Sequence, residues 1–419
     1  MIKNWLHSKD LSRSSATNFI ATVLIGILAA LAFIGIQRAS EFSKGTIPES
    51  FLDFDVFYLV SEMVWKGEIH QAYYSHTMRA AQETLSGDDS FMPWTYPPQF
   101  NLLIAPLSLV PPGVAYSIFV IGTFIVYLLT LKVFAKEYFG LAIILLFPVI
   151  AITLLGGQNG FLTGTLIGLT CLGFQNGRAI AGLPLGLMII KPHLAVAFAV
   201  YTLISRHWRS AAVAAAVVIA TSALATALLG FEIWTAFVDG LKETRAYLGK
   251  GEYPLHRMVS AYAASRTLGV PATVAMAVQI VVAVLSLLLV SLACRRGVPL
   301  RQSLGLAAIA SLLISPYAYD YDLAIYGIGI ALLLPDIIRL GGRLERLSLY
   351  GLSFVTSAFG FAQSHLKISL DFTGADRGIP LSLAGLTLIA LLGLVWRIVR
   401  RDWEEHRGPD ANGYPINNC

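Results

Sequence analysis

Charge is scarce in this chain. Only 13% of its 419 residues are Asp, Glu, Lys or Arg, against about a quarter in an ordinary soluble domain. Cysteine is scarcer still. Cys171, Cys294 and Cys419 stand far apart, with no CxxC and no Cys/His cluster, which excludes a disulfide framework and a zinc site. No basic run carries interleaved aromatics, so nucleic acid is not an expected partner. A Walker loop, a soluble Rossmann unit and a carboxylate cluster demanding a metal are all missing, so neither a cofactor nor a metal is expected. There is no low-complexity segment, and no internal repeat of the kind that marks a duplicated transporter.

Apolar residues are abundant instead: 56% of the chain, with a mean hydropathy of +0.68. A helix needs about 20 apolar residues to cross the hydrocarbon core. Segments 17–37, 112–134, 138–155, 158–177, 209–231, 268–294, 302–316, 320–336, 347–364 and 379–399 qualify or come close. The expected fold is an all-α polytopic membrane protein. The first run follows Lys3, Lys9 and Arg13 and lacks a small-residue cleavage site, so it reads as a retained helix.

Segment 179–205 is apolar but interrupted by Lys191-Pro192-His193. One helix would bury a lysine and a proline near its middle; two short helices of about 12 residues would put Lys191 at a membrane face. Cytoplasmic loops are enriched in Lys and Arg, and the two-helix reading puts Lys132/Lys136, Arg178, Arg206/Arg209, Arg295/Arg296/Arg301 and Arg339/Arg343/Arg346 on one side. This gives about twelve crossings. Both termini are then inside: a cytoplasmic segment 1–16, a membrane domain 17–400 with outer loops 38–111 and 232–267, and a polar, disordered tail 401–419. Nothing in the sequence fixes an oligomeric state.

The remaining polar motifs then collect on the outer face. FLDFDVFYLVSEMVWKG places Asp53 and Asp55 at the start of a helix. Two positions apart, they point in different directions. Asp favours helix starts as a cap; a partly desolvated carboxylate also serves as a general base. WTYPPQF (94–100) is forced into extended backbone by its prolines, and Trp94 and Tyr96 suit an interfacial belt. In GGQNG (156–160), Gln158 and Asn159 offer amides to sugar hydroxyls, although turns favour the same residues. Lys191 in KPH (191–193) is a candidate phosphate ligand, against a snorkelling lysine; His193 lies beside it. His256 and Arg257 form a second candidate clamp, or a solvated loop. In SPYAYDYD (315–322), Tyr319, Asp320 and Asp322 suit carbohydrate or a helix cap. Acids, amides, cations and aromatics on one membrane face suggest a reaction on a lipid-borne substrate.

The order DFDVFY, YPP with Pro106-Leu107, GGQNG, KPH and SPYAYDYD, over residues 50 to 325, resembles glycosyltransferase family 87. These are polyprenol-phosphate-mannose-dependent α-mannosyltransferases of the GT-C superfamily. The resemblance implies an inverting glycosyltransferase with a polyprenyl-phosphate sugar as donor, mannose foremost, and a catalytic Asp in the first outer loop. The family pattern of Asp, apolar, any residue, Val, Tyr falls on Asp53 to Phe57. That makes Asp53 the base and Asp55 the second choice, with Phe57 in place of the usual Tyr. Lys191, His193, His256 and Arg257 would take the donor phosphate. Tyr96, Gln158, Asn159, Tyr319, Asp320 and Asp322 would take the sugar or the acceptor. Helical segments 53–65 and 76–85 would lie on the outer surface and roof the cavity. Implied partners are membrane lipids, the donor, and a glycolipid or glycan acceptor in a bacterial-type inner membrane. The alternatives are a flippase for a lipid-linked sugar, and a related enzyme moving arabinose or glucose.

Overall fold

A computed structural model describes residues 53–86, 91–366 and 380–405, together with Gly26 and Phe33. The segment 1–16, the first predicted span 17–37 beyond those two residues, and the tail after Glu405 lie outside the described residues.

The first loop supplies α1 (Asp53–Trp65), α2 (Ser75–Ser86) and α3 (Pro98–Ile104). The bundle follows as α4 (Pro112–Ala135), α5 (Phe139–Gly156), α6 (Gly160–Gln175), α7 (Gly182–Leu187), α8 (Val196–Ile204), α9 (Trp208–Leu229) and α10 (Glu232–Lys250). It is completed by α11 (Ala261–Thr267), α12 (Ala272–Arg295), α13 (Leu300–Leu312), α14 (Ala324–Leu340), α15 (Arg343–Leu366) and α16 (Ala384–Glu405). Among the described residues there is no strand, only an isolated antiparallel bridge from Met258 to Tyr319.

Among the described residues, four stretches are long and apolar enough to cross a membrane: Pro112–Gly156, Trp208–Leu229, Ala272–Arg295 and Asp320–Leu340. The first is a hairpin. Lys136 breaks it with φ 48°, and the Tyr116 hydroxyl near its start donates to the Leu154 carbonyl near its end at 2.7 Å. The described residues therefore do not confirm the expected dozen crossings as full-length spans. Helix α6 has 16 residues, about 24 Å at 1.5 Å per residue, short of the roughly 30 Å hydrocarbon core.

The shortest pieces lie in 179–205. The chain breaks at Lys191, as the two-helix reading required, but neither arm spans. Ala179–Ile190 is a short, partly 3-10 helix, and α8 has 9 residues. Both arms start from the same end of the bundle. Ala181 packs against Gly173, while Tyr201 and His207 lie against the Phe174 ring, with centroids 5.6 and 5.0 Å away. The pair is a V whose apex carries Lys191. Arg178 and Arg206 accordingly sit at one end, as the charge bias demanded.

Helix α14 is the axis of the bundle: 78% of its apolar window is buried, against 6% for α9 on the periphery. Close packing on α14 uses glycines four residues apart on α6. A Cβ on Gly164 would meet the Tyr127 ring and the Ala324 backbone; one on Gly168 would meet Thr130 and Ile328. Small residues at this spacing let apolar helices approach backbone to backbone. Gly160 is the tightest, since its Cβ would lie 2.1 Å from the Tyr321 carbonyl oxygen. Because a carbonyl cannot rotate aside, Gly160→Ala should lower thermal stability in detergent, on the scale of about 1–3 kcal/mol for overpacking. Gly122→Ala, which meets nothing within 4 Å, should not. Equal melting temperatures for the two variants would refute this contact.

Candidate functional site

The site begins at the N-terminus of α1. Phe54, Val56, Phe57 and Val60 are fully buried, so α1 is a core element and not the surface roof expected from sequence. Its first turn leaves Asp53 and Asp55 half-buried. The Asp53 carboxylate is held by Gln158, whose Nε2 donates to Oδ2 at 2.9 Å. The turn between α5 and α6 has the glycines to make that approach. Gly157 is left-handed with φ 65°, and a Cβ there would strike Phe54 at 2.6 Å.

WTYPPQF is not an interfacial belt. Trp94 and Tyr96 are buried, and with Phe100 they surround Phe57 edge-on, at centroid distances of 6.0, 5.7 and 5.4 Å. A second net fixes the backbone: the Tyr73 hydroxyl donates to the Tyr96 carbonyl at 2.8 Å, and Trp94 Nε1 donates to Asn101 Oδ1 at 3.0 Å. Phe57 has no exposed surface, so a tyrosine hydroxyl here would need a partner inside an aromatic cluster.

The cations predicted for phosphate are present, each already facing a carboxylate. Lys191 Nζ lies 2.7 Å from Asp322 Oδ1, with the two residues 6% and 1% exposed. This lysine does not snorkel to a membrane face. It sits 4.6 Å over the Tyr321 ring and 5.6 Å from that of Tyr96. Arg257 grips Asp320 in a fork, Nε to Oδ2 at 2.9 Å and Nη2 to Oδ1 at 3.1 Å, so it is not in a solvated loop. Burial alone would pull this guanidinium down, but the Asp320 carboxylate more than reverses that. The nearby Asp53 charge adds to the rise, and Arg257 stays above its usual range. His256, half-buried, is pushed below its ordinary value by burial and then by the Arg257 charge. It is therefore a neutral donor or acceptor at neutral pH, not a second cation. His193, half-buried, shares the turn after Lys191.

Asp320 and Asp322 thus act first as counter-ions and as local structure. The Tyr319 amide donates to Asp322 Oδ2 at 3.0 Å and the Tyr321 amide to Asp320 Oδ1 at 2.9 Å. Tyr319 stacks on Tyr321, 5.4 Å and 8° apart. The Val259 amide donates to the Ala318 carbonyl at 2.8 Å, which ties the Arg257 loop to this segment. Neither cation is exhausted by its pair. Lys191 has two further N–H groups, and Asp320 leaves the Nη1 end of Arg257 unused.

The GGQNG turn joins the halves. Gln158 meets Asp53, and two residues on Gly160 abuts Tyr321 between the two acids. Buried polar atoms there lack partners: Gln158 Oε1 and both Asn159 Oδ1 and Nδ2. Each costs about 1–3 kcal/mol when unsatisfied, and such atoms call for an explanation. Asp53, Tyr96, Gln158, Lys191, Arg257, Tyr319, Asp320 and Asp322, all predicted from sequence, take part in the bonds and ring contacts just described. The sequence places Tyr321 among the aromatics of SPYAYDYD and Gly160 in the GGQNG turn, but not against each other; the spacing of Gly160, Gly164 and Gly168 was the available signal for close packing.

No curated protein and no solved structure matches the chain. The family model for glycosyltransferase family 87 matches residues 94–316, more than half of it. That stretch contains WTYPPQF, GGQNG, KPH and Arg257, and stops short of Asp53 on one side and Asp320 on the other. With its apolar helices and this polar centre, the chain belongs to glycosyltransferase family 87.

Proposed function

We propose that the protein moves a hexose, mannose foremost, from a polyprenyl-phosphate donor to an envelope glycolipid or glycan, with inversion, at the outer face of a bacterial-type inner membrane. The reading rests on one observation: a single turn, GGQNG, touches a half-buried carboxylate at one end, Asp53, and a loop flanked by two cations at the other.

Inverting transfer from a glycosyl phosphate needs that layout. The acceptor hydroxyl gives its proton to Asp53 and its oxygen bonds to the anomeric carbon. The bond from that carbon to the phosphate oxygen breaks, and its electron pair leaves on the phosphate. The phosphate gains a negative charge as it departs, and the free N–H groups of Lys191 and Arg257 stabilise it. The donor carries its own activating phosphate and lipid, so the chain needs no nucleotide-binding domain. His256, neutral, donates a hydrogen bond to the same phosphate.

The test is turnover in detergent with polyprenyl-phosphate-mannose and a membrane-lipid extract. Polyprenyl phosphate should be released in step with a glycolipid product of inverted anomeric configuration. A product of retained configuration would remove the single-displacement mechanism. Absence of release with every polyprenyl-phosphate sugar would remove the donor assignment.

A further inference from the structure

We propose that Asn159 reads the transferred sugar of the donor, not the acceptor, by taking a pair of adjacent hydroxyls on its carboxamide; this rests on the donor assignment just made. Asn159 is fully buried, and neither Oδ1 nor Nδ2 has a hydrogen-bond partner. The Tyr96 hydroxyl is the nearby polar group: Asn159 offsets a little of the rise that burial imposes on this phenol, yet no hydrogen bond of ordinary geometry joins the two. As the residue before α6, Asn159 is also where a capping side chain would turn back on the helix, and it makes no such bond. A fold gains nothing from a carboxamide held this way; a ligand offering one donor and one acceptor satisfies both atoms.

Position separates the donor sugar from the acceptor. In a single displacement the sugar ring lies between the base and the leaving phosphate. Asn159 lies between Gln158, which holds Asp53, and Gly160, which packs on Tyr321. Lys191 stands over the Tyr321 ring and near that of Tyr96. Asp53 is half-buried, whereas Asn159 is sealed. An acceptor can therefore reach the partly exposed Asp53 from outside, but not the sealed Asn159 carboxamide directly. Adjacent ring hydroxyls differ in geometry among hexose epimers, so a fixed carboxamide accepts one arrangement and leaves its own atoms unpaired against another.

The experiment compares wild type, Asn159→Ala and Asn159→Asp with polyprenyl-phosphate mannose, glucose and galactose, together with binding of polyprenyl phosphate bearing no sugar. Wild type should prefer one epimer. In Asn159→Ala that preference should shrink at least tenfold, a conservative share of the discrimination polar contacts provide, while KM for the acceptor and affinity for sugar-free polyprenyl phosphate stay unchanged. Asn159→Asp keeps the shape and one acceptor but exchanges the donor for a second acceptor, and should sit between them; it also carries the test if the alanine variant does not fold. An unchanged epimer ratio, or a raised acceptor KM with the ratio intact, would overturn the inference and leave the donor assignment standing. A wild type that uses none of the three donors would remove both.

Discussion

Replacing Asp53 with Asn should reduce sugar transfer by about 10²- to 10⁴-fold, the usual contribution of a positioned general base, without loosening the fold. The substitution is close to isosteric, and the amide oxygen still accepts the bond that Gln158 Nε2 gives to Oδ2 at 2.9 Å. Asn cannot take a proton from the acceptor hydroxyl, so the chemical step is lost while donor binding persists. The signature is a fall in kcat with the donor affinity and melting temperature of wild type. Asp55→Asn is the paired control. Asp55 is also half-buried at the first turn of α1 but stands about 200° away around the helix, so it should keep most of the activity. The reverse pattern would transfer the base to Asp55. Loss in both, with lower melting temperatures, would make the turn structural.

Replacing Lys191 with Met should be the most destabilising single change at the site. It strands the Asp322 carboxylate, 1% exposed, without its cation, and breaking a buried pair from one side costs about 3–5 kcal/mol. Removing both charges is different. Lys191→Met combined with Asp322→Leu replaces a buried pair by apolar volume, which is often neutral or stabilising, so much of the lost stability should return. Activity should not return, because the leaving phosphate still lacks the ammonium. Melting temperature and turnover for the two singles and the double variant settle the matter. Recovery of both together would mean that Lys191 is only a structural partner. No recovery of stability would mean that the rest of the apex depends on the pair.

Much of this was legible in the sequence, and the failures share a cause. Hydropathy separates apolar from polar stretches, and it found the helices at 112–134, 209–231 and 268–294 closely. Asp53 was located as a helix start because acids and an apolar run meet there. Hydropathy does not report what an apolar face touches. In a bilayer, lipid and protein interior select the same side chains, so the V at 179–205 passed for two short spans. Trp94 and Tyr96 passed for interfacial anchors for the same reason, and α1 for a surface roof. The ion pairs were invisible for another reason. Lys191 and Asp322 are 131 positions apart and Arg257 and Asp320 are 63; each side was recognised as unusual, but no local pattern states which charge meets which. The Gln158 bond to Asp53, across 105 positions, is of the same kind.

That separation matters while the chain is being made. Asp322 follows Lys191 by 131 residues, so at a synthesis rate of about 5–20 residues per second the lysine precedes its partner by on the order of ten seconds. During that time the apex has left the ribosome with no carboxylate to meet. Holding such a lysine at membrane depth costs roughly 2.5–3.5 kcal/mol on the insertion scale. The two half-length arms ease the delay: an apex that enters and leaves from one end need not be threaded across the bilayer. It can dock late, once the segment from Tyr319 to Asp322 has emerged. A nascent chain arrested before residue 322 would therefore carry this V undocked, and quality control would meet it as an exposed lysine between two apolar arms.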